Sequence, residues 1–357
     1  MRSSINLINS LSHLVPSDLS IMECGAESSS TWNDFVDKSS GSYCHLFGWK
    51  QVFERTYGLQ TYYLVFLSAK VWLGVLPLAI MPRFLGCAVK AVSLPYCNYG
   101  GLLAAPGVDV KNLNEAAINY LSGKGIDKIE FRQIAPSMVD AGEVTMILSL
   151  SDSIELLWKQ IGVKARNQVR KAQKAGLTLS WGRDQGDELY AIYAKNMSRL
   201  GTPVHSPRFV KEILDNLGEC ADVLTVRYNE HVIGAMLVIK HGDTWTDPMA
   251  SCLAEYNQFN PNMLMYWEVL RAACAAGAKS FDFGRSHKDS GTYRFKKQWG
   301  ANEVTLHYHS YAGGELVPSA STNFYRGQSA SKLASIWKRL PTFIQMRLGP
   351  VARRWIP

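Results

Sequence analysis

Three apolar runs, Val223–Tyr228, Val232–Lys240 and Thr244–Leu253, follow one another through links as short as Asn229-Glu230 and His241-Gly242-Asp243. Links that short join antiparallel neighbours, because a parallel crossover needs a dozen residues or more. The spacing therefore predicts a three-strand meander, and the rest must be arranged around it. Before it stand a strand pattern, Leu177–Trp181, and two helix patterns, Glu188–Leu200 and Pro207–Leu217. Ser206 and Pro207 supply a cap and a first-turn proline for the second helix. After it come a helix from Pro261 to Ala276, a strand Lys279–Phe283, a helix Thr292–Trp299 and a closing strand Val304–Tyr311.

The first half repeats this order without evident sequence identity. Leu19–Glu23 reads as a strand, Thr31–Lys38 and Phe47–Tyr57 as helices, and Tyr62–Leu67, Val71–Met81 and Val89–Leu94 as strands. Leu113–Leu121 then reads as a helix, and Lys128–Arg132 and Glu143–Leu150 as strands. A β-αα-βββ-α-β order used twice resembles the GNAT acyltransferases, in which two central strands splay apart around an acyl donor. The expected fold class is α/β of the α+β kind: two tandem GNAT-like domains, each a mainly antiparallel sheet flanked by helices, with a basic helical tail. The expected boundaries are 1–152, 153–315 and 316–357, the second domain opening on one long basic helix, Ser153–Ala175.

Composition narrows the class. With 47% hydrophobic and 19% charged residues the chain is an ordinary globular one. Its most apolar window, Tyr62–Met81, contains Lys70, Gly74 and Pro77, which fits two strands around Ser68-Ala69-Lys70 better than a membrane span. Met1–Leu19 has no continuous apolar core, so no secretory signal is expected. The seven cysteines include no Cys-x-x-Cys pair, which points to free thiols in a reducing cytosol. His307 and His309 share a strand face but have no third ligand nearby, so no metal site is expected.

The net charge of +8 is concentrated in two segments. Leu316–Pro357 and Trp158–Arg183 each hold seven cations and no acid. Such fields attract phosphate-rich partners or anionic membrane. In the second segment Arg166, Arg170 and Lys174 stand four apart, a cationic stripe suited to tRNA or a phosphorylated lipid carrier, or simply a solvated helix face. In the first, Pro341 and Gly349-Pro350 are expected to break the tail into short helices, which dock on the domain or lie on anionic membrane.

Polar chemistry gathers at Phe281–Gly300. Here a strand is expected to end at Gly284, followed by a polar loop to Gly291 and a helix carrying Arg294, Lys296 and Lys297 among Tyr293, Phe295 and Trp299. A charged loop leaving a buried strand is a common location for chemistry in α/β proteins. A second ligand-cradling candidate is the aromatic, glycine-rich loop Pro95–Gly101, which includes Tyr99 and Gly100. The connection Glu255–Leu264 contains no glycine, and Pro261 lacks an N–H. This argues against the usual GNAT loop for coenzyme A pyrophosphate, although the helix N-terminus remains.

Several stretches together resemble the FemAB-like proteins, specifically a branch associated with PEP-CTERM/exosortase and exopolysaccharide loci. They are Gly74-Val75-Leu76-Pro77-Leu78, Ser93–Gly101, Arg166–Ala172, Gly201-Thr202-Pro203, Leu264–Glu268, Asp282–Ser286, Gly291–Gly300, Trp337–Pro341 and Arg347–Pro350. The resemblance implies an acyltransferase, aminoacyl or acetyl, acting on an amine or hydroxyl of an envelope glycan or lipid-linked precursor. A peptidoglycan bridge transferase using aminoacyl-tRNA, and a non-catalytic protein binding a glycan or another protein, are its alternatives. It implies no tightly bound cofactor and a donor that is acyl-CoA or aminoacyl-tRNA. From the free thiols and the basic tail the expected location is cytoplasmic, either free or peripheral at the inner face of the plasma membrane. The family's Phe-Lys motif lysine maps to Lys296. Lys296 and Arg285 are then the candidate oxyanion cations and Asp282 the candidate base. Tyr293, His205, Tyr99, Gly100, Arg166, Arg170 and Lys174 are the candidate substrate-binding residues.

Overall fold

The computed structural model describes residues 18–82, 89–134, 143–318 and 328–356. It divides into two compact units. One takes Met1–Ile134, His307–Thr322 and Arg354–Pro357, and the other Ala135–Leu306 and Asn323–Arg353.

The first unit begins with β1 (Ser20–Glu23), α1 (Ser29–Lys38) and α2 (Trp49–Tyr57). The predicted hairpin follows: β2 (Thr61–Ser68) and β3 (Val71–Met81) pair antiparallel around Ala69 and Lys70, both at positive φ. That is the twist a two-residue hairpin turn demands. The sheet is continued by β4 (Lys90–Val92), with the two-residue β5 (Leu103–Ala104) also on β3. The central helix α3 (Val110–Gly123) leads to β6 (Ile129–Ile134), which runs parallel to β4. Alternation along β2 explains its unbroken apolar run. Tyr62, Leu64 and Phe66 share a core with Leu113, Ala117 and Leu121 of α3. Tyr63 and Val65 face the opposite way, toward Trp32 and Val36 of α1. Both faces are covered, so both must be apolar.

The second unit takes β7 (Glu143–Ser149), then α4 (Ile154–Gln160) and α5 (Val163–Gln173). These replace the single helix expected over Ser153–Ala175. Its apolar spacing runs unbroken, but Ile161 and Gly162 are extended (ψ 147° and 149°). A Cβ on Gly162 would stand 2.9 Å from the Gln298 carbonyl oxygen, so the break falls at the segment's one glycine, where a distant backbone packs too close for a side chain. After β8 (Thr178–Trp181) come α6 (Gly186–Leu200), α7 (Pro207–Leu217), β9 (Ala221–Tyr228), β10 (His231–His241) and β11 (Thr244–Cys252). Next are α8 (Pro261–Ala275), β12 (Ser280–His287) and α9 (Gly291–Lys297). The sheet order is β8-β9-β10-β11-β12-β7. Phe281, Phe283, Met265, Val269 and Trp299 are among the residues filling the core beneath α8.

β13 (Asn302–Ala312) pairs with β7 through Thr305; from His307 the chain belongs to the first unit, where β13 neighbours β6 and turns back as β14 (Glu315–Pro318). The units therefore do not follow the 152/153 and 315/316 boundaries: β7 falls in the second unit because it pairs with β12. The tail is not a separate domain either. Helices α10 (Gln328–Arg339) and α11 (Thr342–Arg353) belong to the second unit and pack on α6. Pro341 separates them as expected, whereas Pro350 lies inside α11 and does not end it.

Candidate active site

β11 and β12 are parallel partners only from Thr244–Ser280 to Thr246–Asp282. Each strand then carries a bulge. On β11 the register to β10 slips so that Asp247 and Pro248 together oppose Val238. On β12 it slips so that Phe283 and Gly284 together oppose Met146 of β7. A bulge bends its strand and adds local twist, so the two central strands part here. Pro248, which has no N–H to offer, sits where the ladder ends. Gly284 is at φ +73°, a conformation open to glycine at little cost. The strand does not stop at Gly284, as its glycine suggested, but continues through the bulge to His287.

Four polar side chains converge on this divergence. Asp282 is fully buried; its Oδ1 accepts from the Thr145 hydroxyl (2.5 Å) and the Gly284 N–H (2.8 Å). That carboxylate holds the bulge closed. Lys296, 7% exposed on α9, donates from Nζ to the carbonyl oxygens of Gly284 and Arg285, each at 2.9 Å. An ammonium has three donors, so one N–H remains without a hydrogen-bond partner among the described residues. Asp247, 8% exposed, accepts from the Tyr266 hydroxyl (2.5 Å) on Oδ2, while its Oδ1 has no hydrogen-bond partner among the described residues. Tyr266 is fixed by an aromatic cluster: Phe283 stacks on it at 5.3 Å, with Phe295 at 5.1 Å and Trp299 at 6.2 Å.

Burial governs the protonation of this group. It pushes the Asp247 carboxyl up to about 8, against the Tyr266 hydrogen bond and the Lys296 charge. It pulls the Lys296 ammonium down to about 8, against the attraction of Asp247 and Asp282. Burial and Asp247 together drive the Tyr266 phenol well above its ordinary value. An acid and a base thus titrate in the same range, both at about 8.

Arg285, half-buried on β12, and Tyr293, on the first turn of α9, lie on the same segment as Lys296. The Tyr293 hydroxyl reaches toward Glu303 (3.4 Å), and Lys297 lies over its ring. The other expected residues lie elsewhere. His205 stacks on Phe209 at 4.1 Å and accepts from Arg353 Nε at 3.1 Å; burial, then that guanidinium, lower its pKa. Arg166 donates to the carbonyls of Trp158, Lys159 and Ile161, capping the end of α4. Arg170 lies over the Trp158 ring, so only Lys174 of the stripe stands in solvent without such an engagement. In the first unit Tyr99 packs edge-on to Tyr43, and the Gly100 N–H binds the Arg132 carbonyl. Sequence reasoning missed Asp247 as a site residue. Its one signal was an acid inside an otherwise uncharged strand, next to a proline.

Among the described residues no group of three His, Cys, Asp or Glu side chains could hold a metal ion. No helix among the described residues is long and apolar enough to cross a membrane.

Residues 163–297 match the model of the GNAT acetyltransferase domain family, a span that contains β11, β12, Asp247 and Lys296. No curated protein matches the chain. Among solved structures the chain is similar to FemX, at 15% identity and a TM-score of 0.66, covering 83% of this chain and 98% of that one. It is also similar to L-PGS from Bacillus licheniformis (11% identity, TM-score 0.54, 89% and 98% covered). A tandem GNAT protein from the clavulanic acid biosynthesis pathway gives 14% identity, TM-score 0.52, and 83% and 100% coverage. At such identities the likeness carries the fold, and the fold is GNAT-like.

Proposed function

We propose that the protein is a FemAB-like acyltransferase that moves an aminoacyl or acetyl group onto an amine or hydroxyl of a cell-envelope or exopolysaccharide precursor. The observation that carries this is the Asp247–Tyr266–Lys296 group at the parting of β11 and β12, within the stretch matching the GNAT domain. The nucleophile attacks the ester or thioester carbonyl carbon. Its proton passes to Asp247 Oδ1, the open carboxylate oxygen. Negative charge gathers on the carbonyl oxygen, where the remaining Lys296 N–H, with Arg285 as the second cation, stabilises it. Collapse expels the tRNA oxygen or coenzyme A sulfur, which takes the proton back from Asp247. Asp282 acts at one remove, by fixing the bulge whose carbonyls orient Lys296. The resemblance of Gly291–Gly300 and the other shared stretches to FemAB-like proteins supports the acceptor class. The basic tail, with seven cations and no acid from Leu316 to Pro357, supports the inner membrane face as the place of action.

The start of α8 bears on the donor. The Met263 and Leu264 N–H groups both bind the Asn260 carbonyl, and Pro261 has none. A coenzyme A pyrophosphate would find a thin cradle there, which favours an ester donor such as aminoacyl-tRNA. Lys164 and Lys171, exposed on α5 beside Asn167 and Gln168, suit its phosphates.

Incubating purified protein with labelled aminoacyl-tRNA or acyl-CoA and envelope precursors, then weighing the products, tests this reading. Transfer from one donor, lost in Lys296→Met, is expected. Precursor binding with no transfer from either donor would instead leave a non-catalytic glycan-binding protein.

A further inference from the structure

Helix α11 has a settled inner face. Gln345 and Gly349 are buried, Gln345 Nε2 donates to the Leu340 carbonyl, and a Cβ on Gly349 would stand 3.0 Å from Val204 Cγ1. Arg353, on the same helix, reaches His205. The outer face is therefore fixed too. Phe343, Met346, Arg347, Pro350 and Val351 recur at helical spacing on it. These residues are not the polar surface that a docked helix ordinarily turns to water. Phe343 is 72% exposed, Val351 61% and Met346 39%, with Leu348 (48%) at the edge and Ile336 of α10 at 59%. Five of the twelve large exposed hydrophobic residues among those described thus fall within sixteen residues of sequence.

The charges carried by the two helices have one sign, and the acid that lines a cleft with Thr342 at the start of α11, Glu255, is paired with Lys195 at 2.6 Å. Lys338, Arg339 and Arg347 are exposed, and no acid occurs from Leu316 to the C-terminus. A second copy of the same face would set Arg347 against like charges. An anionic bilayer would neutralise the cations and take the apolar side chains below its headgroups. Trp337, half-exposed between Ile336 and Lys338, is the residue type favoured at that depth.

We propose that the outer face of α11, with the exposed end of α10, docks the protein on anionic lipid bilayers. The proposal is independent of the acyltransferase reading: it concerns neither β11 nor β12, and it is read without a turnover assay.

The test is co-sedimentation of the full chain with vesicles of phosphatidylcholine alone or of phosphatidylcholine mixed with phosphatidylglycerol. Binding to the mixed vesicles alone, released by salt, is expected. Phe343→Asp with Val351→Asp should weaken it about tenfold or more, by forcing charge into the acyl boundary. Arg339→Glu with Arg347→Glu should weaken it by a similar factor, about tenfold, through the surface potential. All four side chains are exposed, so the unfolding midpoint should stay that of the wild type. Salt release of the wild-type chain gives a second readout that needs no variant. Equal binding to neutral vesicles, no binding to either kind, or undiminished binding by the variants would overturn the proposal. So would vesicle-free dimerisation abolished by Phe343→Asp, which would assign the face to a second copy.

Discussion

The two units reach the same point in their sheets and do opposite things there. In each, the meander's last strand pairs in parallel with the strand after the central helix. The final parallel pair is Val92–Glu130 in the first unit and Thr246–Asp282 in the second. Glu130 and Asp282 are thus equivalent, as are the residues next after the pair on the partner strand's chain, Ser93 and Asp247. In the first unit the position is closed. Glu130 is bound by Arg132 Nε (2.8 Å) and Lys90, Arg132 N–H donates to Ser93 Oγ (2.8 Å), and the Arg132 guanidinium lies over Tyr308. These cations hold the Glu130 carboxyl down at about 2 although burial opposes them. In the second unit the bulge at Gly284 displaces the arginine one residue further on, to Arg285. The bulge then supplies an N–H in place of a guanidinium, and Asp247 keeps an oxygen without a partner. A buried acid fully paired with cations is structure, whereas one held near its own titration point can move a proton.

The largest expected effect is on transfer. Asp247→Asn, which preserves the shape and the Tyr266 contact, should lower kcat by about 10² to 10⁴, whereas Ser93→Ala in the equivalent position should leave it unchanged. Steady-state rates of the two variants check this, and equal losses would erase the distinction between the units.

The pH profile sharpens the same point. Asp247 must lose a proton and Lys296 must keep one, and both titrate at about 8. A bell-shaped profile centred near that pH is expected. Asp247→Asn should remove its rising limb. It should also move the falling limb to lower pH, because the Asp247 charge no longer supports the ammonium.

Next in size is stability. Glu130→Ala strands a buried Arg132 and should cost about 3–5 kcal/mol, measured by denaturant unfolding. Glu130 also predicts an acid limb. Its folded pKa, about 2, lies below the ordinary 4.5, so its contribution is complete above the ordinary value and lost as pH falls through about 2. The loss should be about 3 kcal/mol. The smallest effect is Gly284→Ala, which places a side chain at positive φ and should cost about 1–2 kcal/mol.

Much of the architecture was legible because both sheet faces are buried. Strands such as Thr61–Ser68 and Val71–Met81 had to be apolar throughout, and their turn had to be short. The break at Gly162 was not legible, because Leu157, Ile161 and Ala165 keep perfect helical spacing across it and the backbone packed against Gly162 belongs to a distant segment. For the same reason Arg166 read as part of a surface stripe: the carbonyls it caps are exposed only by that break. Lys296 was found through the motif around it. Asp247 was not, because no motif surrounds it and an acid between Trp245 and Met249 on alternate positions carries no label of its role. Its burial arises only where β11 and β12 part, a property of two bulges and not of its own neighbours in sequence.

The most direct test is single-turnover transfer by three proteins, the wild type, Lys296→Met and Ser93→Ala, with whichever donor proves competent. The account predicts wild-type transfer in Ser93→Ala and a loss of about 10² to 10³ in Lys296→Met with folding intact. Undiminished transfer by a folded Lys296→Met protein would contradict it.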